Sequence, residues 1–350
     1  MAIPHGGDWA GFVQEYSTLP LDFSANTSPL GLTDGIRAAI TTALSTADRY
    51  PDPLCRTLCR RLAENHGLPR EAVLCGGGAA DLIFRLAQAK RGQSALVTAP
   101  TFGEYAHALT LNGCTVEHFP LLEETGFAVT ADILERITPE LGLLFLCEPN
   151  NPTGRTTEPA LLRAILEKCK RCHTLLVVDE CFLDCLDEPA AHTLESLVPD
   201  FPNLLLLKAF TKSYALAGLR LGYALCADGA LLDKMRDCGQ PWAVSSLAQA
   251  AGLAALDETD YLPRLRTLLA AERPRLQAGL TELGCTVYPG EANFLLFHCA
   301  DDRLAQRLRP RGILIRDCAD FQGLGGGFYR IAVRTAAENV SLLNDLRGVL

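Results

Sequence analysis

The chain has 350 residues, of which 48% are hydrophobic and 21% are charged, and its formal net charge is −9. This composition is typical of a globular protein, and the negative charge argues against nucleic acid or an anionic membrane as the main partner. No apolar run approaches the roughly 20 residues that span a bilayer. The start "MAIPHGGDWAGF" lacks the pattern of a signal peptide, so we expect a cytoplasmic protein.

The 14 cysteines are expected to be reduced and to pack as small apolar side chains. The segment "CKRCH" matches a haem-attachment pattern, but that modification occurs in exported proteins. A zinc site would need a second CxxC pair, which the chain lacks. We therefore expect neither haem nor metal.

Seven short apolar runs follow one another through the first two thirds of the chain, separated by segments with helical periodicity. The runs cover residues 72–75, 94–99, 115–119, 143–147, 174–180, 203–208 and 221–226. Their apolar residues are continuous rather than alternating, which is typical of strands that are buried on both faces. The pattern predicts an α/β domain around a mostly parallel sheet.

The pattern changes near residue 245. A long helical stretch over 245–283 precedes the runs "ANFLLFHC", "GILIRDC" and "FYRIAVR", and a last helix follows. We interpret this region as a smaller α+β domain that the N-terminal segment joins. The predicted division is a large domain over 46–244 and a small domain made of 1–45 and 245–350.

Polar residues follow several of the predicted strands, where ligands bind in open parallel sheets. The glycine-rich "CGGGAAD" (75–81) opens a helix, and its backbone N–H groups suit an anion, although a plain turn remains an alternative. "CEPNNPTG" (147–154) forms a stiff polar loop. "VVDE" places Asp179 and Glu180 at the end of a buried strand, where a carboxylate needs a partner.

The segment "AFTKSYALAGLRLGY" (209–223) contains a lysine among apolar neighbours. A desolvated lysine near other cations has a lowered pKa and can bond covalently to an aldehyde, which favours Lys212 as a nucleophile. Lys208 is the other candidate for the nucleophile, but the sequence predicts it as the last residue of a strand. Arg220, eight residues after Lys212, is a candidate to bind a phosphate group. An amine, a carboxylate, an arginine and an anion-binding helix end together match what pyridoxal 5′-phosphate requires.

At these spacings, "NNPTG", "VVDE" and "TKSYALAGLRLGY" resemble the fold-type I pyridoxal-phosphate enzymes, within them the histidinol-phosphate aminotransferase branch. The segments "HGGD", "RYPDP", "PWAVSSLAQAAG" and "ILIRDCADFQGLGGGFYRIAVRTAAEN" resemble the decarboxylases of threonine phosphate in that branch. The likeness covers nearly the whole chain. It implies the fold-type I transferase fold, with an N-terminal arm over the active site.

The resemblance also implies roles for individual residues. Lys212 would anchor the cofactor and reprotonate the product, Asp179 would pair with the ring nitrogen, and Phe102 would stack on the ring. The expected cofactor-binding set is Gly78, Ala79, Ala80, Phe102, Asn151, Asp179, Phe182, Thr211, Lys212, Arg220 and, from a neighbouring subunit, Tyr50. The expected substrate-binding set is His5, Gly6, Asn26, Asn151, Arg316 and Arg330.

A role for Tyr50 across a subunit boundary implies a homodimer with shared sites. The sequence departs from the family pattern at Ala79 and Ala80, where relatives often carry acidic and hydroxyl residues, and at Ala209, where a serine or threonine is common. These changes remove side-chain donors near the cofactor phosphate and leave the backbone donors. Ser28 and Asp8 each replace an asparagine. These departures affect cofactor affinity or substrate choice and leave the lysine, the aspartate and the arginines in place.

The implied activity is the decarboxylation of L-threonine O-3-phosphate to (R)-1-amino-2-propanol phosphate for cobalamin biosynthesis. Three alternatives stay open: an aminotransferase for histidinol phosphate or a related substrate, a phosphoserine decarboxylase, and a non-catalytic protein that binds the cofactor. Phe182 favours a decarboxylase, since aminotransferases of this branch tend to have tyrosine there.

Overall fold

The computed structural model describes residues 5–350; residues 1–4 of the predicted N-terminal segment lie outside the described range. The strands are β1 Leu21–Asp22, β2 Val73–Gly76, β3 Ser94–Ala99, β4 Thr115–Pro120, β5 Leu143–Cys147, β6 Leu175–Asp179, β7 Leu204–Ala209, β8 Gly222–Leu225, β9 Thr286–Val287, β10 Phe294–His298, β11 Ile313–Leu314, β12 Arg316–Asp317 and β13 Phe328–Ala332. The helices are α1 Trp9–Tyr16, α2 Asp34–Ala43, α3 Arg56–His66, α4 Ala79–Ala89, α5 Glu104–Leu111, α6 Pro159–Cys172, α7 Pro189–His192, α8 Phe210–Ser213, α9 Gly229–Asp237, α10 Ser246–Asp257, α11 Tyr261–Glu282, α12 Leu304–Leu308 and α13 Ala336–Arg347.

A seven-stranded sheet of order β2-β8-β7-β6-β5-β3-β4 forms the centre of the molecule. The strands from β3 to β7 pair in parallel, and β8 runs antiparallel to both β2 and β7. This confirms the predicted α/β class with a mostly parallel sheet, and each of the seven predicted runs contributes one strand.

The central strands are apolar throughout because both faces of the sheet are covered. In β7, Leu204 and Leu206 pack into the apolar cluster on one face, whereas Leu205 and Leu207 pack into the cluster on the other. All four side chains are fully buried. Helices on both faces are the reason that the sequence shows no alternation of polar and apolar residues in these strands.

A second sheet of order β12-β13-β10-β9 is antiparallel and lies in the C-terminal part of the chain. The N-terminal strand β1 pairs in parallel with β11, which joins the N-terminal segment to this region. Helix α10, however, contributes Ala248 and Ala251 to the same apolar cluster as Ile36 and the large sheet. The domain boundaries near 46 and 244 therefore stay a prediction.

Helices α4 and α10 begin in different ways. Helix α10 has a side-chain cap, because the hydroxyl of Ser245 accepts from the N–H of Ala248 at 3.2 Å. Helix α4 begins after Gly78 without a side-chain cap. Within residues 5–350, no helix is both long and apolar enough to cross a membrane.

Candidate active site

A cavity of about 710 Å³ lies where the strand ends of the large sheet meet residues of β12 and β13 and the N-terminal segment. Its walls contain every residue of the two predicted binding sets except Gly78 and Tyr50. Those in the walls are His5, Gly6, Asn26, Ala79, Ala80, Phe102, Asn151, Asp179, Phe182, Thr211, Lys212, Arg220, Arg316 and Arg330.

The first turn of α4 forms one end of the cavity. Gly78, just before the helix, has φ +90°, and a Cβ there would lie 2.8 Å from Nη2 of Arg220. Glycine is favoured here because the positive φ strains any other residue, and a side chain would also push the guanidinium of Arg220 aside. The uncapped helix start and the adjacent arginine make this end positive.

Lys212 projects from α8 into the middle of the cavity, where its Nζ lies 5.5 Å from the centre of the Phe182 ring. Burial, reinforced by the positive charges of Arg330 and Arg220, lowers the pKa of Lys212 to about 8. About a tenth of the amine is therefore unprotonated at pH 7, far more than for a lysine of ordinary pKa, and this is the form that reacts with an aldehyde.

Asp179 ends β6 and points into the same cavity with neutral partners. Its Oδ2 accepts from the hydroxyl of Tyr105 at 2.6 Å, and its Oδ1 accepts from the N–H of Cys181 at 3.0 Å. Burial raises the pKa of Asp179, while these two hydrogen bonds and the positive charge of Lys212 act in the opposite direction. The carboxylate is thus held in place without a direct ion pair.

Arg330 of β13 joins three segments around the cavity. Its Nη1 donates to Oδ1 of Asn151, and its Nη2 donates to the carbonyl of Ser24 at 2.9 Å. Its Nε is buried and has no hydrogen-bond partner among the described residues. Burial lowers the pKa of Arg330 to about 10.

Arg316 of β12 lies directly opposite Arg330 in the strand register. Its Nη2 donates to both carboxylate oxygens of Asp320, at 2.8 Å each, and its guanidinium lies 5.0 Å from the centre of the Phe321 ring. Two guanidinium groups are therefore presented to one cavity by neighbouring strands.

The N-terminal arm covers one side of the cavity. Nε2 of His5 lies 2.9 Å from Oε1 of Glu104, and a Cβ on Gly6 would lie 2.1 Å from the carbonyl oxygen of Ser24. Asn26, only 1% exposed, lines the cavity, and neither polar atom of its side-chain amide has a hydrogen-bond partner among residues 5–350. Such buried groups need a polar partner, which water or a polar ligand in the cavity can supply.

The segment that carries Asn26 is also bonded to the backbone of the lysine. The N–H of Ser28 donates to the carbonyl of Lys212 at 2.9 Å. The hydroxyl of Tyr261 donates to the carbonyl of Gly31 at 2.7 Å and accepts from the hydroxyl of Ser28 at 2.9 Å. The N-terminal segment that carries Asn26 is therefore in direct contact with the backbone of Lys212.

Comparisons with known proteins agree with this arrangement. Residues 20–346 match the model of the family described as aminotransferase class I and II. The chain belongs to this family. It is 40% identical to the threonine-phosphate decarboxylase of Salmonella typhimurium, over 94% of this chain and 91% of that protein.

Two further proteins illustrate the branch. The histidinol-phosphate aminotransferase of Symbiobacterium thermophilum is 35% identical over 93% of this chain and 89% of its own length. The structure of histidinol-phosphate aminotransferase from Sinorhizobium meliloti, solved with pyridoxal-5′-phosphate, has a TM-score of 0.86 and 24% identity, and the match covers 100% of this chain and 96% of that one. The predicted fold-type I fold is thereby confirmed.

As a class I and II enzyme, the protein uses pyridoxal 5′-phosphate. The cavity fits this group, since it combines an amine of lowered pKa, a buried carboxylate with neutral partners and an uncapped helix start beside an arginine. The fit depends on Gly78, where a Cβ would collide with Arg220.

Tyr50 lies away from the cavity of its own chain. Its ring is 80% exposed and stacks on Trp242 with the ring centres 4.4 Å apart. A role for Tyr50 in a site would require a second copy of the chain, as the resemblance implies, so this role stays a prediction.

Four residues of this aminotransferase-family site were not predicted. Tyr105 bonds Asp179, Glu104 pairs with His5, Ser24 accepts from Arg330, and Asp320 pairs with Arg316. For Tyr105 a signal existed, because three residues after Phe102 it falls on the same face of a helix start. The others depend on loop geometry that the sequence does not reveal.

Proposed function

We propose that the protein decarboxylates L-threonine O-3-phosphate to (R)-1-amino-2-propanol phosphate, a step that serves cobalamin biosynthesis. The observation that carries the proposal is the pair of guanidinium groups on facing strands, Arg316 and Arg330, in one cavity with Lys212. A substrate with a carboxylate and a phosphate suits two arginine sites. The 40% identity to a threonine-phosphate decarboxylase supports the same substrate.

In this proposal the cofactor phosphate binds at the first turn of α4. The N–H groups of Ala79 and Ala80, the hydroxyl of Thr211 and the guanidinium of Arg220 would hold it. The loss of side-chain donors at Ala79, Ala80 and Ala209 leaves backbone donors and the arginine to supply most of the binding.

The remaining ring contacts would come from side chains deeper in the cavity. Asp179 would hold a proton at the ring nitrogen, Asn151 would donate to the ring hydroxyl oxygen, and Phe102 and Phe182 would enclose the ring. Pyridoxal phosphate, when bound, supplies an electron sink for the bond that breaks at Cα. Lys212 would hold the cofactor covalently and then deliver a proton to Cα of the product.

The substrate contacts would come from the other wall. Arg330 would bind the carboxylate and Arg316 the phosphate, and the orphaned amide of Asn26 would contact the same ligand. His5 and Gly6 would cover it and exclude water. These contacts fix the torsion about Cα, and that torsion decides whether the bond to CO₂ or the bond to hydrogen is the one that breaks.

A second candidate is a histidinol-phosphate aminotransferase, which the 35% identity to such an enzyme favours. Phe182 supports the decarboxylase instead. Its ring is buried against Phe294, with the ring centres 5.0 Å apart, and offers no hydroxyl to the cofactor.

The test is a product assay on purified holoenzyme. We expect CO₂ from phosphothreonine and a slower reaction with phosphoserine, because one methyl group in a pocket is worth about 1–3 kcal/mol. Equal rates on both substrates would weaken the assignment of threonine. Glutamate formed from histidinol phosphate and 2-oxoglutarate, without CO₂ from phosphothreonine, would favour the aminotransferase.

We also infer a homodimer in the cytoplasm. Tyr50 and Trp242 form an exposed aromatic pair, and Leu44 and Leu54 add further exposed apolar surface to the same part of the chain. Mixing Lys212→Ala with Tyr50→Ala subunits tests the shared site. Hybrid dimers should regain activity at one of two sites, whereas unshared sites would give no gain over the separate variants.

A further inference from the structure

The anion-binding arginine Arg316 is engaged by a carboxylate of its own chain. Its Nη2 donates to Oδ1 and Oδ2 of Asp320, both at 2.8 Å. The side chain of Arg316 is 11% exposed and that of Asp320 is 44% exposed, and both line the cavity. The arginine is therefore fixed in the cavity wall, while its partner reaches it from the solvent side.

We propose that Asp320 occupies the phosphate position of Arg316 in the free enzyme and is displaced when a phosphorylated ligand binds. The inference rests on the proposed function, which assigns the substrate phosphate to Arg316. Asp320 thereby becomes a residue that sets the affinity of this position for anions.

The chemistry of the pair supports displacement. Carboxylate and phosphate oxygens bind the same N–H donors of a guanidinium group, so the two anions compete for them. If Asp320 stayed beside Arg316, its negative charge would repel an incoming phosphate. Displacement of Asp320 frees the N–H donors of Arg316 and removes the repulsion. It costs one partly exposed ion pair.

The backbone around Asp320 allows such a movement. Residue 320 lies in a loop over 318–327 that contains four glycines. The loop positions 319, 320, 322 and 323 are exposed. Asp320 forms no hydrogen bond other than those to Arg316 among the described residues. Its side chain can turn into solvent without breaking another contact.

The test measures inorganic phosphate binding to the holoenzyme by calorimetry, where the cofactor already fills its own phosphate site. We expect Asp320→Asn to bind phosphate about two- to fivefold more tightly, the range of a partly exposed ion pair. The KM for phosphothreonine should fall by a similar factor. Asp345→Asn is the matched control, since it removes one carboxylate from the exposed Arg311 pair at 3.3 Å and should change neither quantity.

Arg316→Gln supplies the second arm. It should weaken phosphate binding, and adding Asp320→Asn to it should produce no further gain, because the competition exists only through Arg316. Weaker phosphate binding in Asp320→Asn alone would mean that Asp320 orients Arg316, and unchanged binding would mean that it does not compete; either result overturns the inference. A gain in the double variant equal to that of the single one would also overturn it.

The outcomes separate this inference from the proposed function. If Asp320→Asn binds phosphate more tightly but phosphothreonine yields no CO₂, Asp320 keeps its role and the substrate assignment fails. If phosphothreonine is decarboxylated but phosphate binding is the same in all variants, the substrate assignment stands and the role of Asp320 fails.

Discussion

Two lysines four residues apart in the chain lie in opposite environments. Lys208, in β7, projects away from the cavity, and its Nζ lies 2.8 Å from Glu180 and 3.1 Å from Glu195. Lys212, in α8, faces the cavity and forms no ion pair among the described residues. Two neighbouring carboxylates differ in the same way. Glu180 forms an ion pair with Lys208, whereas Asp179 lines the cavity.

The groups around a buried lysine decide whether it is charged or reactive. Burial acts to lower the pKa of Lys208, but Glu180 and the other groups around it outweigh burial and raise its pKa well above the ordinary value. For Lys212, burial and two nearby arginines act in the same direction and lower the pKa to about 8. Lys208 is a fixed ammonium within the core, and Lys212 is an available amine.

Lys212→Ala should reduce activity more than any other variant considered. Activity should fall by at least about 10²–10⁴-fold from the loss of proton transfer alone, with a further loss from the missing covalent anchor. The visible absorption band of the bound cofactor should disappear, as measured by spectroscopy and a CO₂ assay. A variant that kept the band would show that another lysine holds the cofactor.

Lys208→Met should instead act on stability. It leaves Glu180, whose side chain is 0% exposed, without its counter-charge, which costs about 3–5 kcal/mol of the free energy of unfolding. Chemical denaturation measures this, and the double variant Lys208→Met/Glu180→Gln should recover part of the loss. The cofactor band per folded molecule should be unchanged; its loss would reverse the roles of the two lysines.

Tyr105→Phe tests whether neutral donors hold the cavity carboxylate. It removes one hydrogen bond to a charged oxygen of Asp179, worth about 1.5–3 kcal/mol, so cofactor affinity should fall by about ten- to a hundredfold. Equilibrium dialysis of the cofactor measures the change. The control Tyr16→Phe alters a tyrosine outside the cavity walls, and an equal effect of both variants would contradict the role of Tyr105.

The pH dependence of cofactor loading should show the smallest change. With a pKa of about 8 for Lys212, the unprotonated fraction rises only about tenfold between pH 7 and pH 9 and then levels off. Stopped-flow measurement of band formation in apoenzyme checks this. A rate that kept rising about tenfold per pH unit beyond pH 9 would indicate a lysine with an ordinary pKa.

The sequence predicted the fold well because the buried strands carry a strong local signal. The continuous leucine run of β7 and the "VVD" end of β6 placed Lys212 and Asp179 at one edge of the sheet, and the cavity contains both. The antiparallel direction of β8 was not predictable, since an apolar run has the same composition in either direction.

The hydrogen bonds between side chains of the cavity could not be predicted from the sequence. Tyr105 and Asp179 are 74 positions apart, and only the packing of α5 against the sheet brings them together. The bond between Arg316 and Asp320 depends on the course of a glycine-rich loop. A role for Tyr50 in a shared site depends on how a second copy of the chain packs against the first. The sequence of one chain does not specify that packing.

The hydrogen bond from the N–H of Ser28 to the carbonyl of Lys212 has a consequence for protein engineering. The stretch that includes Ser24 and Asn26 looks like a self-contained specificity segment that could be exchanged between relatives. Because the backbone N–H of Ser28, at the end of that stretch, holds the lysine backbone, a graft that changed the backbone course there would shift the reactive amine together with the substrate contacts. New substrate preferences are therefore better sought by single changes at side chains such as Asn26 than by transplanting the segment.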